Sequence, residues 1–166
     1  FIQSNTMYGV KTLAVSSGLR YVGAVDCNIS SLMPSVDQVK QFISNIESPK
    51  ETVFLLSHIG GNVNPDIIEI IDICEKVGIV VVEDCAHSFG SKLNNIHSGL
   101  FGFAGVYSLY ATKSIPAGEG GIVVSKNNEI GKILNKFNMY DRFDRQLKIG
   151  VNFRMSEMQA LFCLSV

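Results

Sequence analysis

The sequence predicts an α/β fold with a mostly parallel sheet and helices on both faces. Short apolar segments of strand length alternate along the chain with segments whose apolar residues recur at helical spacing. Strands that are apolar along their whole length are typical of parallel sheets, because helices cover both faces of such sheets. The chain has 166 residues, 46% of them hydrophobic, which is enough for one domain with a core.

The first third of the chain contains two predicted helices and one predicted strand. A helix ends at Gly18, and the segment YVGAVD (residues 21–26) is the strand that follows it. The second helix is predicted over residues 35–48. Ser35 is its N-cap and Gln38 stands three residues later, which is the spacing of a capping box.

The central part alternates strand, helix and strand. Residues 52–58 (TVFLLSH) form an apolar run of strand length. In the helix predicted over residues 64–78, Asn64 is the N-cap, Pro65 suits the first helical position, and a glycine ends the helix. Residues 79–84 (IVVVED) are rich in β-branched side chains until the strand ends in two acids.

The last third of the chain adds two strands, over residues 105–110 (GVYSLY) and 121–125 (GIVVS). Residues 127–140 have the apolar spacing of an amphipathic helix. A further helix over residues 156–164 begins with a second capping box, in which Ser156 is the N-cap.

The composition argues against several classes of protein. The net charge is −1 and no basic run is interleaved with aromatic residues, so we expect no nucleic-acid binding. No apolar run has the length of a membrane span. Scattered cysteines without CxxC spacing argue against a zinc site or a disulfide framework and indicate reduced thiols in a cytoplasmic protein. These cysteines are Cys27, Cys74, Cys85 and Cys163.

Polar side chains follow several predicted strands, at the edge where parallel sheets bind ligands. Asp84 closes one strand with His87 three residues later, while Ser108 and Lys113 lie at or after the end of another. Each has an ordinary explanation on its own. Asp84 would be a solvated strand end or a helix cap, His87 a structural histidine and Lys113 a surface lysine.

The combination fits pyridoxal 5'-phosphate (PLP), which needs three kinds of protein group. Lys113 can supply the amine for a Schiff base, Asp84 an acid beside the pyridine nitrogen, and Ser108 a hydroxyl for the phosphate. The glycines within residues 118–121 precede a strand instead of following one, so we interpret them as a turn. A Rossmann-type nucleotide binder is therefore disfavoured.

A longer stretch of the sequence resembles a known family. An acid pair is followed by a histidine three residues later, and then by a spaced motif: Gly99, Phe101, Gly102, Ser108, Thr112, Lys113 and the GEGG turn. The segment VNFRMSEMQA (residues 151–160) follows. With these motifs, nearly the whole chain resembles the DegT/DnrJ/EryC1/StrS family of PLP-dependent sugar aminotransferases, which are fold-type I enzymes.

The resemblance implies a role for each candidate residue. Lys113 would hold PLP as a Schiff base and move protons during catalysis. Asp84 would pair with the pyridinium nitrogen, and His87 would contact the cofactor ring or its 3-oxygen. Ser108 would bind the phosphate. Asn152 would reach across a dimer interface to the phosphate in the neighbouring subunit. No metal is expected.

The resemblance also implies an activity and a domain organisation. The enzyme would be a homodimer that transfers an amino group, with glutamate as donor, to a nucleotide-linked keto-sugar. Residues 1–166 would be part of the PLP-binding large domain, with a phosphate loop before Phe1 and a smaller domain after Val166. Related enzymes that dehydrate or deoxygenate sugars carry histidine at the Schiff-base position, so Lys113 favours transamination.

The chain departs from the family pattern at two places. Met7 occupies a slot where a bulky aromatic often stacks on the cofactor, and HIGG (residues 58–61) replaces a more frequent His-Leu-Tyr-Gly. The Met7 departure, together with the phosphate loop expected before Phe1, favours an alternative of a different class. In that alternative, the chain is a non-catalytic fragment or pseudoenzyme that keeps the sheet without binding the cofactor.

Overall fold

The computed structural model describes residues 1–138 and 150–166 of the chain. Its strands are β1 (Ile2–Gln3), β2 (Ala24–Val25), β3 (Val53–Ser57), β4 (Val80–Asp84), β5 (Lys92–Leu93), β6 (Ile96–His97), β7 (Ala104–Ser108) and β8 (Gly121–Val124). Its helices are α1 (Tyr8–Ser16), α2 (Val36–Ile43), α3 (Ile67–Val77), α4 (Asn128–Asn138) and α5 (Glu157–Ser165). In these described residues, no helix is both long and apolar enough to cross a membrane.

Six strands form one sheet in the order β2-β1-β3-β4-β7-β8, while β5 and β6 form a separate hairpin. The neighbours from β2 to β7 are all parallel, and β8 runs antiparallel to β7. The predicted α/β fold with a mostly parallel sheet is therefore confirmed. The register aligns the ends of the central strands, because Ser57 pairs with Asp84 and Asp84 pairs with Val106.

The hydrophobic core lies between one face of the sheet and helices α2 and α3. Phe54, Leu56 and Val81 belong to this core and are at most 2% exposed. Helix α2 contributes Val39, and α3 contributes an apolar stripe: Ile67, Ile70, Ile71 and Cys74. Burial of one large apolar side chain contributes about 1.5–3 kcal/mol, so this layer fixes the central strands relative to each other.

Helix α1 lies against the opposite face of the sheet. Val10 and Leu13 of α1 line a shallow pocket together with Leu55, Val82 and Val106. These three strand residues alternate along their strands with the core residues, so they face the other way. Helices therefore lie on both faces, as predicted. Val106 remains 41% exposed, which shows that the described residues cover this face only in part.

The start of α3 differs from the prediction. Asn64 is not its N-cap and Pro65 is not its first residue, because the helix begins at Ile67 with Asp66 as N-cap. The Asn64 side chain instead accepts a hydrogen bond from the Asp66 backbone N–H (2.9 Å) and donates one to the Pro34 carbonyl (2.9 Å). This buried asparagine ties the loop before α3 to the loop before α2, and such a long-range contact leaves no local pattern.

Other element ends were predicted with mixed success. Both capping boxes are present, at Ser35 and Ser156, and Gly78 ends α3 in a left-handed conformation (φ +88°). The helix that starts after Ser35 stops earlier than predicted, at Ile43, and the strand before it is reduced to the two residues of β2. The last two positions of the helix predicted to reach Tyr140 lie outside the described residues.

Candidate active site

A cavity of about 450 Å³ opens at the carboxyl ends of β3, β4 and β7. The segment leading into α1 contributes Thr6 and Met7 to its wall, and the end of β3 contributes Ser57. The loop after β7 contributes Tyr110 and Glu119. The volume lies within the range of small-molecule and cofactor sites, about 300–1,000 Å³.

Four of the five candidate residues line this cavity: Asp84, His87, Ser108 and Lys113. They come together because parallel strands place their carboxyl ends at one edge of the sheet. Asn152 lies outside the cavity, is exposed, and accepts a hydrogen bond from Arg154 Nε at 3.0 Å. The prediction for Asn152 concerns the site of a neighbouring subunit, so its place outside the cavity of its own chain does not test that prediction, which stays a prediction.

The Asp84 carboxylate is oriented by donors from two elements. Ser57 Oγ donates to Asp84 Oδ2 (3.2 Å), and the Ala86 backbone N–H donates to Asp84 Oδ1 (3.1 Å). The Thr6 hydroxyl lies 2.7 Å from Ser57 Oγ and extends this chain of hydrogen bonds to the segment before α1. An ionised carboxylate offers about four acceptor positions, so Asp84 keeps acceptor capacity for a ligand in the cavity.

Ser108, which carries a hydroxyl, and Lys113, which carries an amine, both line this cavity. Ser108 Oγ accepts a hydrogen bond from the Tyr110 backbone N–H (3.2 Å), which leaves its own proton available to an anionic ligand. Lys113 is half-buried, and its backbone N–H donates to the Tyr110 carbonyl (2.9 Å). Within residues 1–138 and 150–166, the Lys113 amine has no hydrogen bond or ion pair.

The GEGG turn closes the loop that carries Lys113. The carbonyl of Gly118 accepts from the Ala111 N–H (3.0 Å), and the carbonyl of Gly120 accepts from the Leu109 N–H (2.9 Å). Both glycines have positive φ, +83° and +142°, which residues with a side chain rarely adopt. The predicted turn is therefore present, and it holds Lys113 near the end of β7.

His87 follows Asp84 at the cavity and is exposed. Its neighbour Ser88 is fully buried, and Ser88 Oγ donates to Ser98 Oγ (3.0 Å). Ser98 Oγ in turn donates to the Ser88 carbonyl (2.8 Å), and the Tyr107 hydroxyl donates to the Ser98 carbonyl. This buried network fixes the backbone beside His87, while the imidazole itself remains accessible from the cavity.

Glu83 is the centre of a hydrogen-bond network on the face of the sheet opposite to Asp84. Its carboxylate is fully buried and lies 2.8 Å from His58 Nε2. It also accepts backbone N–H groups from Gly99 (2.7 Å), Phe101 (2.8 Å) and Gly102 (2.7 Å). Burial alone raises the pKa of Glu83, but the hydrogen bonds from His58, Gly102 and Gly99 outweigh burial, so the net pKa is lowered. Glu83 therefore remains ionised at neutral pH.

Ligand atoms of His58, Glu83 and Cys85 lie within 4.8 Å of one another, a spacing that could hold a metal ion. The chemistry of the group favours a different role. The Glu83 oxygens already accept four hydrogen bonds, and burial raises the pKa of the Cys85 thiol to about 12. A protonated thiol is a poor metal ligand, so we interpret the group as a structural hydrogen-bond network.

Replacement of Glu83 by alanine is expected to lower the free energy of unfolding by at least about 3 kcal/mol, because it leaves buried donors without an acceptor. Since the folded-state pKa of Glu83 is below its ordinary value of 4.5, its contribution is complete above that pH. The contribution is then lost as the pH falls through the folded-state pKa. Urea unfolding of the full-length protein at several pH values measures both effects.

The matched control for Glu83 is Glu129→Ala, which removes an exposed carboxylate in a surface ion pair with Lys132. Such pairs contribute at most about 1 kcal/mol, so this variant should unfold almost like the parent. Equal stability of Glu83→Ala and Glu129→Ala would show that the Glu83 network contributes nothing to folding.

Several polar residues of the cavity were not named as site residues from the sequence, among them Thr6, Ser57 and Glu119. Ser57 lies in an apolar strand next to His58, and Thr6 lies far from the other site residues along the chain. The signal that could have found Ser57 is the register between β3 and β4, which places it beside Asp84. Glu119 belongs to the GEGG turn, and its carboxylate could have been considered as a candidate site residue when the glycines of that turn were interpreted.

Comparison with protein families gives a match over residues 2–165 to the model of the DegT/DnrJ/EryC1/StrS aminotransferase family. The GDP-perosamine synthase of Escherichia coli O157:H7 is 29% identical over 170 residues, covering 92% of this chain and 43% of that protein. The UDP-4-amino-4,6-dideoxy-N-acetyl-beta-L-altrosamine transaminase of Helicobacter pylori is 34% identical over 99 residues, covering 56% of this chain and 26% of that protein.

Among solved structures, a DegT DnrJ EryC1 StrS aminotransferase from Brucella abortus matches with a TM-score of 0.87 and 26% sequence identity. The match covers 99% of this chain and 46% of that structure. The chain thus spans less than half the length of these proteins. The same arrangement of strands and helices recurs in that part of the Brucella protein.

Proposed function

Because this chain belongs to the DegT/DnrJ/EryC1/StrS aminotransferase family, we propose that it forms the PLP-binding part of an aminotransferase. The enzyme transfers an amino group to a nucleotide-linked keto-sugar. The observation that carries the proposal is the meeting of the Lys113 amine, the Asp84 carboxylate and the Ser108 hydroxyl at one cavity. PLP requires those three groups, and the family's aminotransferases depend on PLP.

The residues present fit the cofactor. Lys113 offers an amine that no other described residue engages, and Asp84 offers a carboxylate fixed by Ser57 and Ala86. The hydroxyl proton of Ser108 is available for an anion, since its oxygen already accepts from a backbone N–H. The cavity is therefore lined by a nucleophilic amine (Lys113), a carboxylate (Asp84) and a hydroxyl that can bind phosphate (Ser108), and its volume is adequate for the cofactor.

When bound, PLP supplies a protonated ring that stabilises negative charge on a substrate carbon. Lys113 would hold the cofactor covalently through its amine, with release of water, and would take and return the proton at the reacting substrate carbon. The negative charge of Asp84 would keep the ring nitrogen protonated. Ser108 would bind the phosphate, and His87 would contact the ring or its 3-oxygen. Met7, which is 66% exposed at the cavity wall, is the residue whose thioether would cover one ring face.

Substrate class follows from the relatives. One relative is a GDP-perosamine synthase, and another is a transaminase of a UDP-linked amino sugar. These names support a nucleotide-linked keto-sugar as amino acceptor, and we propose glutamate as the donor. A homodimer with shared sites completes the proposal. The four cysteines are all unbridged, which supports a cytoplasmic location.

The direct test uses the full-length protein, PLP and [15N]glutamate with GDP- and UDP-linked 4-keto-sugars. We expect 15N in the amino sugar product, detected by mass spectrometry. The alternative is a sheet that has lost cofactor binding. The observation that supports this alternative is the exposed Met7 in the slot where an aromatic residue often stacks on the cofactor. A full-length protein that binds no PLP in absorbance and fluorescence titrations would establish that alternative.

The shared site predicts complementation between two inactive variants. Lys113→Ala and Asn152→Ala each remove one residue from every site of a homodimer. In a mixed dimer, one site regains both residues because Asn152 acts on the partner's cofactor. We expect co-refolded full-length variants to recover up to about a quarter of the parental rate, since half of the dimers are mixed and each has one complete site.

The complementation control mixes Lys113→Ala with Lys113→Arg, since no mixed dimer of these two contains a complete site. Subunit exchange is verified with two affinity tags. Failure to recover activity in verified mixed dimers would contradict the assignment of Asn152, as would an active monomeric parent.

A further inference from the structure

We propose that Ser57, supported by Thr6, positions the Asp84 carboxylate for the cofactor. This inference rests on the proposed function, because the effect of Ser57 on Asp84 is measured through bound PLP. Asp84 is at the cavity wall, and Ser57 lies beside it on the neighbouring parallel strand. The Ser57 side chain is 3% exposed, so its hydroxyl must find its partners inside the protein.

The Asp84 carboxylate at the end of this series of hydrogen bonds determines which hydroxyl donates to which. An ionised carboxylate only accepts, so the single Ser57 proton is donated to Asp84 Oδ2 over 3.2 Å. Ser57 Oγ can then accept the Thr6 hydroxyl proton over 2.7 Å. The chain therefore runs from Thr6 through Ser57 to Asp84, and each hydroxyl polarises the next one toward the carboxylate.

Two further contacts make this a fixed arrangement. The Ser57 backbone N–H donates to Oε1 of the fully buried Gln3 (3.0 Å), which holds the end of β3 against β1. The Ala86 N–H occupies Asp84 Oδ1 (3.1 Å). With one donor on each oxygen, the carboxylate cannot rotate without breaking a hydrogen bond. Its remaining acceptor positions stay available to a ligand.

Among the described residues, no titratable side chain at the cavity takes the place of Ser57 in orienting Asp84. The titratable side chains that line it besides Asp84 are His58, His87, Tyr110, Lys113 and Glu119. Among the described residues, none of these five makes a hydrogen bond to Asp84, and His58 is engaged by Glu83. Ser57 is therefore the side chain that directly orients Asp84. An apolar side chain at position 57 would leave Oδ2 without this donor.

The experiment uses the full-length holoenzyme with PLP labelled with 15N at the pyridine nitrogen. In Ser57→Ala, we expect the dissociation constant of PLP to rise about three- to tenfold, which is the effect of losing one ordinary intramolecular hydrogen bond. We also expect the 15N resonance to move toward the value of the unprotonated ring. A loss of packing alone would not move this resonance.

Thr6 supplies graded controls. Thr6→Val keeps the side-chain shape without the hydroxyl and should shift the resonance in the same direction by a smaller amount. Thr6→Ser keeps the hydroxyl and should behave like the parent. If Ser57→Ala does not fold, the Thr6 variants still test the proposal. A 15N resonance in Thr6→Val equal to that of the parent would then contradict the series of hydrogen bonds from Thr6 through Ser57 to Asp84.

The outcomes separate this inference from the proposed function. A parent that binds PLP normally, with an unchanged resonance and PLP affinity in a folded Ser57→Ala variant, would overturn only the role of Ser57. A parent that binds no PLP would overturn the proposed function and the inference together. Thermal unfolding of each variant confirms that the comparison is made between folded proteins.

Discussion

Replacement of Lys113 by alanine in the full-length protein is expected to lower kcat by at least about a thousandfold. The change removes the nucleophile that holds the cofactor and also the base that moves the substrate proton. General acid–base catalysis by one side chain alone contributes about 10²–10⁴-fold. Lys113 is suited to both tasks because it lines the cavity and its amine has no ion pair among the described residues.

The assignment of Lys113 is measured chemically as well as kinetically. Borohydride reduction of the holoenzyme should fix the cofactor on one peptide, and mass spectrometry should locate it on Lys113. Lys113→Arg keeps a positive charge at the site but should also be inactive, which separates charge from covalent chemistry. Lys92→Ala changes an exposed lysine of the β5–β6 hairpin and should leave both the label and the rate unchanged.

Label on another lysine, together with an active Lys113→Ala variant, would show that the nucleophile has been misassigned. Loss of activity with normal labelling of a different lysine would instead restrict Lys113 to a supporting role. Both results are visible in the same two measurements.

The sheet was predictable because its signals are local. Runs such as VFLLS and VVVED are continuously apolar until the polar residues at their carboxyl ends, which is sufficient to indicate buried parallel strands. The parallel order then brings Asp84, Ser108 and Lys113 to one edge without further information. The two capping boxes were equally readable, since Ser35 and Gln38 contact each other within one helical turn.

The features that escaped prediction depend on residues far apart in the chain. Strand β1 has only two residues and pairs with β2 and β3, so it carries no periodicity of its own. Asn64 has the composition of a helix cap, but its partner Pro34 is thirty positions away. The contact between Thr6 and Ser57 spans fifty-one positions, and nothing in either local sequence signals it.

Glu83 and Asp84 show how neighbouring acids acquire different roles. Successive residues of a strand face opposite sides of the sheet. Glu83 therefore faces the layer that holds His58 and the backbone of residues 99–102, where its acceptors are filled. Asp84 faces the cavity and keeps acceptor positions free. The sequence shows a pair of acids, and only the pleat of the strand separates the structural acid from the candidate catalytic one.

Asp84→Asn is expected to retain the cofactor but to lower kcat at least about a hundredfold. The substitution keeps the size of the side chain and removes the negative charge that holds the ring nitrogen protonated. Removal of one partner from a partly buried charge pair typically costs a few kcal/mol, and each 1.36 kcal/mol on the barrier is about tenfold in rate. Single-turnover transamination and the 15N resonance of bound PLP measure the rate and the ring protonation together.

Glu119→Gln is the matched control for Asp84→Asn, because it neutralises another carboxylate at the same cavity. The Glu119 side chain is exposed, and its backbone carbonyl, which accepts from Gln159 Nε2 (2.6 Å), is unaffected by the change. A general loss of negative charge would slow both variants alike, whereas a charge pair with the ring nitrogen slows Asp84→Asn alone. Parental turnover in Asp84→Asn, with PLP bound and the fold intact, would mean that the ring nitrogen is held protonated by a group other than Asp84.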